Sequence, residues 1–250
     1  MRASILDWVM MMTKLLHLEQ HPGVNPNSFT STITSVSDDQ IELQSTGYYP
    51  QGGGQPSDKG VMVGADFECQ VVDVRKRDSV LHYITDMSGT PSVGDQVECT
   101  IDSLWRNQLS AMHTAQHLIS ALANEEWGAH TVGNQIGFER TRIDLQFDNR
   151  DLFDSEHMQD LVNAAISKDI PVRMDFRASS DLLNDPLVRV NMDRMPPDID
   201  VWRTISIGDL DVCPCAGTHV MSTGEIPDVE ITRVKSKGAG RLRVEYILNN

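Results

Sequence analysis

A chain of 250 residues can bury one large core or two smaller ones, and a 40% hydrophobic share is ordinary for a globular protein. No apolar run approaches the ~20 residues a bilayer span needs, which argues against a membrane protein. The net charge of −15 sets most of the surface against non-specific binding of polyanions.

Aspartate outnumbers glutamate by 25 to 11 and only six residues are lysine. Such a bias suits a protein kept soluble in high salt by hydrated carboxylates; it is equally the composition of an ordinary acidic protein. The N-terminal stretch carries Arg2 and Asp7 and no small-residue cleavage pattern, so no signal peptide is expected. Met10, Met11 and Met12 stand in a row, and any of them could be the true start. The four cysteines, Cys69, Cys99, Cys213 and Cys215, form no disulfide-like framework, which points to a reducing, cytoplasmic compartment.

In chain order, residues 29–36 and 40–43 are β-rich and separated by Asp38-Asp39. Residues 61–63, 67–74 and 80–84 alternate apolar and polar positions, and a Pro91/Gly94/Asp95 turn precedes another run at 96–101. This spacing predicts a small antiparallel β-barrel over residues 1–101. Within it, residues 46–60 read TGYYPQGGGQPSDKG, where three glycines in a row let the backbone approach another surface or a ligand. Taken alone, the stretch is also compatible with a merely flexible loop.

The run Ser103–Trp127 is free of proline and glycine and repeats Leu104, Leu109, Met112, Leu118, Ile119 and Leu122 at helical spacing. Asp102 or Ser103 can cap it. His113 and His117, at i and i+4, share one face about a turn apart, which suits two nitrogens on one metal ion. Solvated or core-satisfied histidines give the same spacing.

Strands are predicted at 132–139, 142–147 and 171–176, and a helix over 155–168 capped by Asp154 or Ser155. A short helix is expected near 180–184, and a closing hairpin over 229–234 and 241–247 across Gly238-Ala-Gly240. Elements that do not alternate strictly argue for an α+β fold, with residues 102–250 as its second domain. Asp211-Val-Cys-Pro-Cys-Ala-Gly-Thr-His219 adds Cys215 and His219, completing a plausible zinc set with His113 and His117. A buried free cysteine beside a surface histidine is the bland alternative. Residues 233–243 hold five of the 21 basic residues and no acid, so a polyanion can dock there; a solvated strand pair with charged faces accounts for the pattern as well.

The sequence Thr46-x-Tyr-Tyr-Pro-x-Gly-Gly-Gly-Gln-Pro-x-Asp-x-Gly60, then His113-x3-His117, then Cys215-Ala-Gly-Thr-His219 resembles the editing domain of alanyl-tRNA synthetase, most of all the free-standing AlaX-type trans-editing proteins. The likeness runs from about residue 28 to the C-terminus. Ala216 replaces a common second glycine, and Gln44 stands where an aspartate would precede the pocket threonine. Cys213 is an extra thiol beside the ligand turn.

The resemblance implies an N-terminal barrel followed by an α+β editing core with helices packed on an antiparallel sheet. It implies hydrolysis of mischarged tRNA(Ala), chiefly Ser-tRNA(Ala) and also Gly-tRNA(Ala), with one Zn2+ per chain, no nucleotide cofactor and no membrane partner. Neither the residues nor the resemblance assigns an oligomeric state. The expected metal ligands are His113, His117, Cys215 and His219. His219, Gln55 and Thr46 are expected at the chemistry: His219 as weak ligand or base, Gln55 near the developing oxyanion, and Thr46 as partner of the serine hydroxyl. Gly53, Gly54, Lys235, Lys237 and Arg241 are expected to contact substrate or tRNA. Two other readings compete: a zinc-binding tRNA or protein adaptor without catalysis, and a zinc hydrolase of small esters. A metalloprotease is disfavoured, because His113-Thr-Ala-Gln-His117 lacks the glutamate after its first histidine.

Overall fold

The computed structural model describes residues 13–19, 21, 23, 27–189 and 199–249. The methionine run 10–12 lies outside these residues. The chain divides into two compact units: the first comprises residues 1–52 and 56–106, the second 53–55 and 107–250.

In the first unit a short parallel pair joins β1 (Lys14–Leu15) to β4 (Ser45–Thr46). The main feature is a closed six-stranded barrel of β2 (Ser28–Val36), β3 (Gln40–Leu43), β5 (Gly60–Val63), β6 (Phe67–Lys76), β7 (Val80–Gly89) and β8 (Gln96–Ile101). Every pairing in it is antiparallel, and β2 closes the ring on β8. The predicted barrel is thus present, with β6 and β7 longer than their apolar alternation alone suggested. Alternation explains the packing: Val97, Cys99 and Ile101 of β8 point inward to meet Ile33, Ile41, Leu43, Met62, Cys69 and Val71, while the residues between them face out. Burial pushes the inward thiols up, Cys69 to about 11 and Cys99 to about 12, so both behave as small apolar groups.

The glycine-rich segment in this unit is tied down by a buried ion pair. Asp58, wholly buried, accepts from Arg106 Nε and Nη2 and from the Tyr49 amide at 2.5 Å. Arg106 Nη2 also donates to the Gly47 carbonyl at 2.9 Å. Removing the arginine alone strands a desolvated carboxylate. Nearby, buried His82 sits between the Ile41 carbonyl at 3.0 Å and Thr46 Oγ1 at 2.8 Å. A carbonyl can only accept, so Nδ1 holds the proton and Nε2 accepts from the Thr46 hydroxyl. Burial pulls His82 down to about 4 against a smaller upward pull from the Ile41 carbonyl.

The second unit contains α1 (Ser103–Trp127) from Asn107 onward, α2 (Ser155–Ser167) and the short α3 (Ser179–Leu183). Asp102 caps α1 by accepting the Trp105 amide at 3.0 Å, and Asp154 caps α2 through the amides of Glu156 and His157. One antiparallel sheet runs in the order β14 (Asp228–Gly238), β15 (Arg241–Asn249), β10 (Thr141–Gln146), β9 (His130–Gln135). A second joins β11 (Val172–Ala178), β12 (Val201–Ile207) and β13 (Asp211–Pro214). These elements bear out the α+β expectation. The Tyr246 hydroxyl donates to the Met112 carbonyl at 2.5 Å and Gln108 Nε2 to the Phe138 carbonyl at 3.0 Å, seating α1 on the first sheet. Asn163 of α2 exchanges two bonds with the Val229 backbone, covering part of the β14 edge. No helix among the described residues is long and apolar enough to cross a membrane.

Arg106→Met is expected to lower unfolding free energy by about 3–5 kcal/mol in urea titrations. Since the folded His82 value lies below the ordinary 6.5, the unfolded chain binds the extra proton between them. Its stabilising contribution is therefore full above pH 6.5 and lost as pH falls toward 4. Between pH 7.5 and 5 it is worth roughly 2 kcal/mol, and His82→Gln is expected to remove that part of the pH slope.

Candidate metal centre

The ligand atoms of His113, His117, Cys215 and His219 lie within 4.8 Å of one another. Two of these residues come from one face of α1, where the 3.6-residue period stacks them. The other two follow β13, whose ladder with β12 fixes where the Cys-Pro-Cys stretch leaves the sheet. Arg203 of β12 holds that exit: its guanidinium donates to the Cys215 and Gly217 carbonyls, and the Cys215 amide donates to the Arg203 carbonyl at 3.2 Å. Gly217 has to be glycine, because a Cβ there would come within 2.4 Å of His113 Nδ1.

Hydrogen bonding determines which nitrogen each imidazole presents. His113 Nδ1 lies 2.8 Å from Gln55 Oε1, an acceptor, so Nδ1 is protonated. The Gln55 orientation is itself fixed, since Oε1 also accepts the Thr218 amide at 3.2 Å and Nε2 donates to Thr218 Oγ1 at 2.8 Å. His117 Nδ1 donates to Asp211 Oδ2 at 2.8 Å. Asp211 is buried and also bonded by Arg189, whose Nη1 donates to the Leu210 carbonyl at 3.0 Å. Thr114 Oγ1 spends its proton on the Ser110 carbonyl at 2.8 Å, so it accepts from His219 Nδ1 at 3.1 Å. All three histidines therefore carry their proton on Nδ1, leaving the Nε2 lone pair of each for the cluster.

Those lone pairs meet a sulfur. Cys215 Sγ is 3.7 Å from His113 Nε2 and 3.4 Å from His219 Nε2. A tetrahedral ion with metal–sulfur and metal–nitrogen bonds of about 2.3 and 2.0 Å needs separations of about 3.6 Å. The Gly217 amide donates to Sγ at 3.3 Å, which favours the thiolate. Desolvation pushes the Cys215 thiol up, but His113 and then His219 beside it pull it well below its usual range. Burial pushes His219 well below the usual imidazole range, and the neighbouring His113 adds to that. A thiolate is the form of cysteine that a soft divalent ion requires.

The remaining predicted site residues are distributed as follows. Gln55, with Gly53 and Gly54, counts with the second unit. Gly53 and Gly54 have positive φ of 56° and 85°, and a Cβ on Gly54 would lie 2.3 Å from Asn134 Oδ1. Thr46 belongs to the first unit, where its hydroxyl donates to His82 and accepts the Tyr48 amide at 3.2 Å. Lys235, Lys237 and Arg241 are exposed on the β14–β15 hairpin. Sequence reading passed over Asp211, Thr114, Thr218, Arg189 and Arg203. Asp211 sat within the quoted motif, four residues before Cys215, and Thr114 beside His113, but neither has a spacing that marks it as a ligand orienter.

Residues 202–245 match the family described as "Threonyl and Alanyl tRNA synthetase second additional domain", and residues 14–105 match "tRNA synthetases class II (A)". The chain is 32% identical over 224 residues to the alanyl-tRNA editing protein AlaX-M of Saccharolobus solfataricus, covering 87% of this chain and 92% of that one. It is 31% identical to AlaX-M of Methanosarcina acetivorans, covering 88% and 94%. To the alanine–tRNA ligase of Halorubrum lacusprofundi it is 33% identical over 82% of this chain and 22% of that enzyme. The chain belongs to the AlaX-M family of alanyl-tRNA editing proteins.

Cys215→Ala is expected to lose most bound metal in a titration against a chromophoric chelator, and full metal content in that variant would sink the ligand assignment. Asp211→Asn, which keeps an acceptor for His117 but not the charge facing Arg189, is expected to weaken metal binding about 10- to 100-fold.

Proposed function

We propose that this protein is a zinc-dependent deacylase that hydrolyses the ester joining a wrong amino acid to tRNA(Ala), chiefly serine and also glycine. The observation that carries the reading is the cluster itself: three imidazoles with Nδ1 committed outward and Nε2 converging on a thiolate, in a chain of the editing family. One zinc ion held by His113, His117, Cys215 and His219 would act as a Lewis acid toward an ester carbonyl or a water.

The chain's own residues then divide the work. Gln55 and Asp211 keep His113 and His117 turned toward the cluster. His219, with its Nδ1 proton on Thr114, has an Nε2 lone pair that serves as ligand or takes a proton from water. Gly53 and Gly54, both with positive φ, bring backbone rather than side chains to the aminoacyl group. Selection of serine over alanine cannot rest on size, because serine is the larger; it rests on a buried group left unpaired when the hydroxyl is missing. Thr46 is the proposed partner: its oxygen donates to His82, accepts from Tyr48 and retains one lone pair. Cysteines free among the described residues accord with a reducing, cytoplasmic location.

A second reading, a tRNA or protein adaptor with structural zinc, is favoured by the donor count, since four protein ligands fill a tetrahedral ion. Deacylation of Ser-tRNA(Ala) and Ala-tRNA(Ala), with and without a zinc chelator, separates the two. The expected result is fast, chelator-sensitive loss of serine and persistence of alanine. Zinc bound stoichiometrically with neither ester cleaved would establish the adaptor instead.

A further inference from the structure

The −15 charge of the chain is unevenly placed, and one sheet face reverses it. Residues paired across antiparallel strands share a face. The register of β14, β15 and β10 sets Arg233 beside Glu245 and Arg142, then Lys235 beside Arg243 and Asp144, then Arg241 beside Gln146. These rows follow one another at about 7 Å along the strands. Lys237 lies in the register shift before Gly238, next to the turn where Gly238, Ala239 and Gly240 all have positive φ. The opposite face is apolar: Val244, Ile143 and Tyr246 are buried there, and Tyr246 bonds α1. The basic rows thus face away from α1.

Both acids within these rows are already neutralised; the next row carries Glu230 beside Ile247, where Asn249 donates to it at 3.1 Å. Asp144 accepts from Arg243 Nε and Nη2 at 2.7 Å each, and Glu245 from Arg140 at 3.1 Å. Arg142, Arg233, Lys235, Lys237 and Arg241 are exposed and form no ion pair among the described residues. Two of the chain's six lysines fall here. Five unpaired cations in an acidic chain are an attraction without an internal target. The rows also offer no aromatic or large apolar side chain of the kind that anchors protein partners.

We propose that this face of β14, β15 and β10 is the docking surface for the phosphate backbone of the tRNA whose ester the metal centre cleaves; the proposal rests on the deacylase reading above. Phosphates are bound here by exposed cations without base readout, so affinity from this face is strongly salt-dependent and independent of the attached amino acid.

The test compares two triple variants, each removing three positive charges. K235Q/K237Q/R241Q alters the hairpin; R75Q/K76Q/R77Q alters an exposed basic run at the end of β6. Uncharged tRNA(Ala) is the binding probe, titrated from low to high KCl, with metal content and circular dichroism checking the fold. The hairpin variant is expected to bind roughly tenfold or more weakly at 100 mM KCl, with a log–log salt slope shallower by about 2–3. The β6 variant is expected to stay near wild type, and in deacylation the hairpin variant's loss is expected in KM. Unchanged affinity and slope in the hairpin variant, or equal weakening in the β6 variant, would overturn the surface assignment. Because the probe carries no ester, this outcome is separate from the deacylase reading, which fails only if wild-type protein cleaves no aminoacyl-tRNA(Ala).

Discussion

The histidine–cysteine cluster depends on three Nδ1–H hydrogen bonds. Each fixes a tautomer and a ring orientation, and without them the Nε2 lone pairs would have no reason to converge. Their acceptors differ in kind: a carboxamide for His113, a carboxylate for His117, a hydroxyl for His219. The carboxylate is the most demanding, since Asp211 is itself desolvated and is balanced by Arg189 as well as by the imidazole. A neutral amide and a hydroxyl make no such demand.

Much of the architecture could be read from residue order. The period of α1, its aspartate cap, the barrel strands and the closing hairpin follow from local patterns, and all are present. The strands β12 and β13 were not foreseen; for β13 the reason is that Cys-Pro-Cys-Ala-Gly reads locally as a turn. Residues 201–207, VWRTISI, are strand-like in composition and pair with β11, whereas 211–214 are extended by their hairpin pairing with β12. The ligand set was legible from two i, i+4 pairs combined with the family motif. The orienting shell was not, because Gln55, Asp211 and Thr114 lie 58, 94 and 105 positions from the histidines they hold. Nothing in local spacing announces such pairs.

Charge follows the same division between local and distant causes. The basic segment 233–243 is visible in the sequence, yet its meaning changes once Arg142 joins it from β10 and Arg243 turns inward to Asp144. A linear count of five cations becomes a planar arrangement with a different membership. Pairing also explains why the acids among these rows do not cancel the field: each has been assigned to one arginine at short range.

The separation of the ligands along the chain has a consequence for biosynthesis. His117 and Cys215 are 98 positions apart, so at 5–20 residues per second roughly 5–20 s pass between their departures from the ribosome. During that interval a nascent helix presents two imidazoles with neither thiolate nor Asp211 to complete the site. Two nitrogens alone would hold a divalent ion weakly, so capture by the full set would belong to the last stage of synthesis. An ion bound by all four residues would then act as a proofreader of the chain itself: it would be retained only by molecules in which residues 215–219 have been made and have folded onto α1.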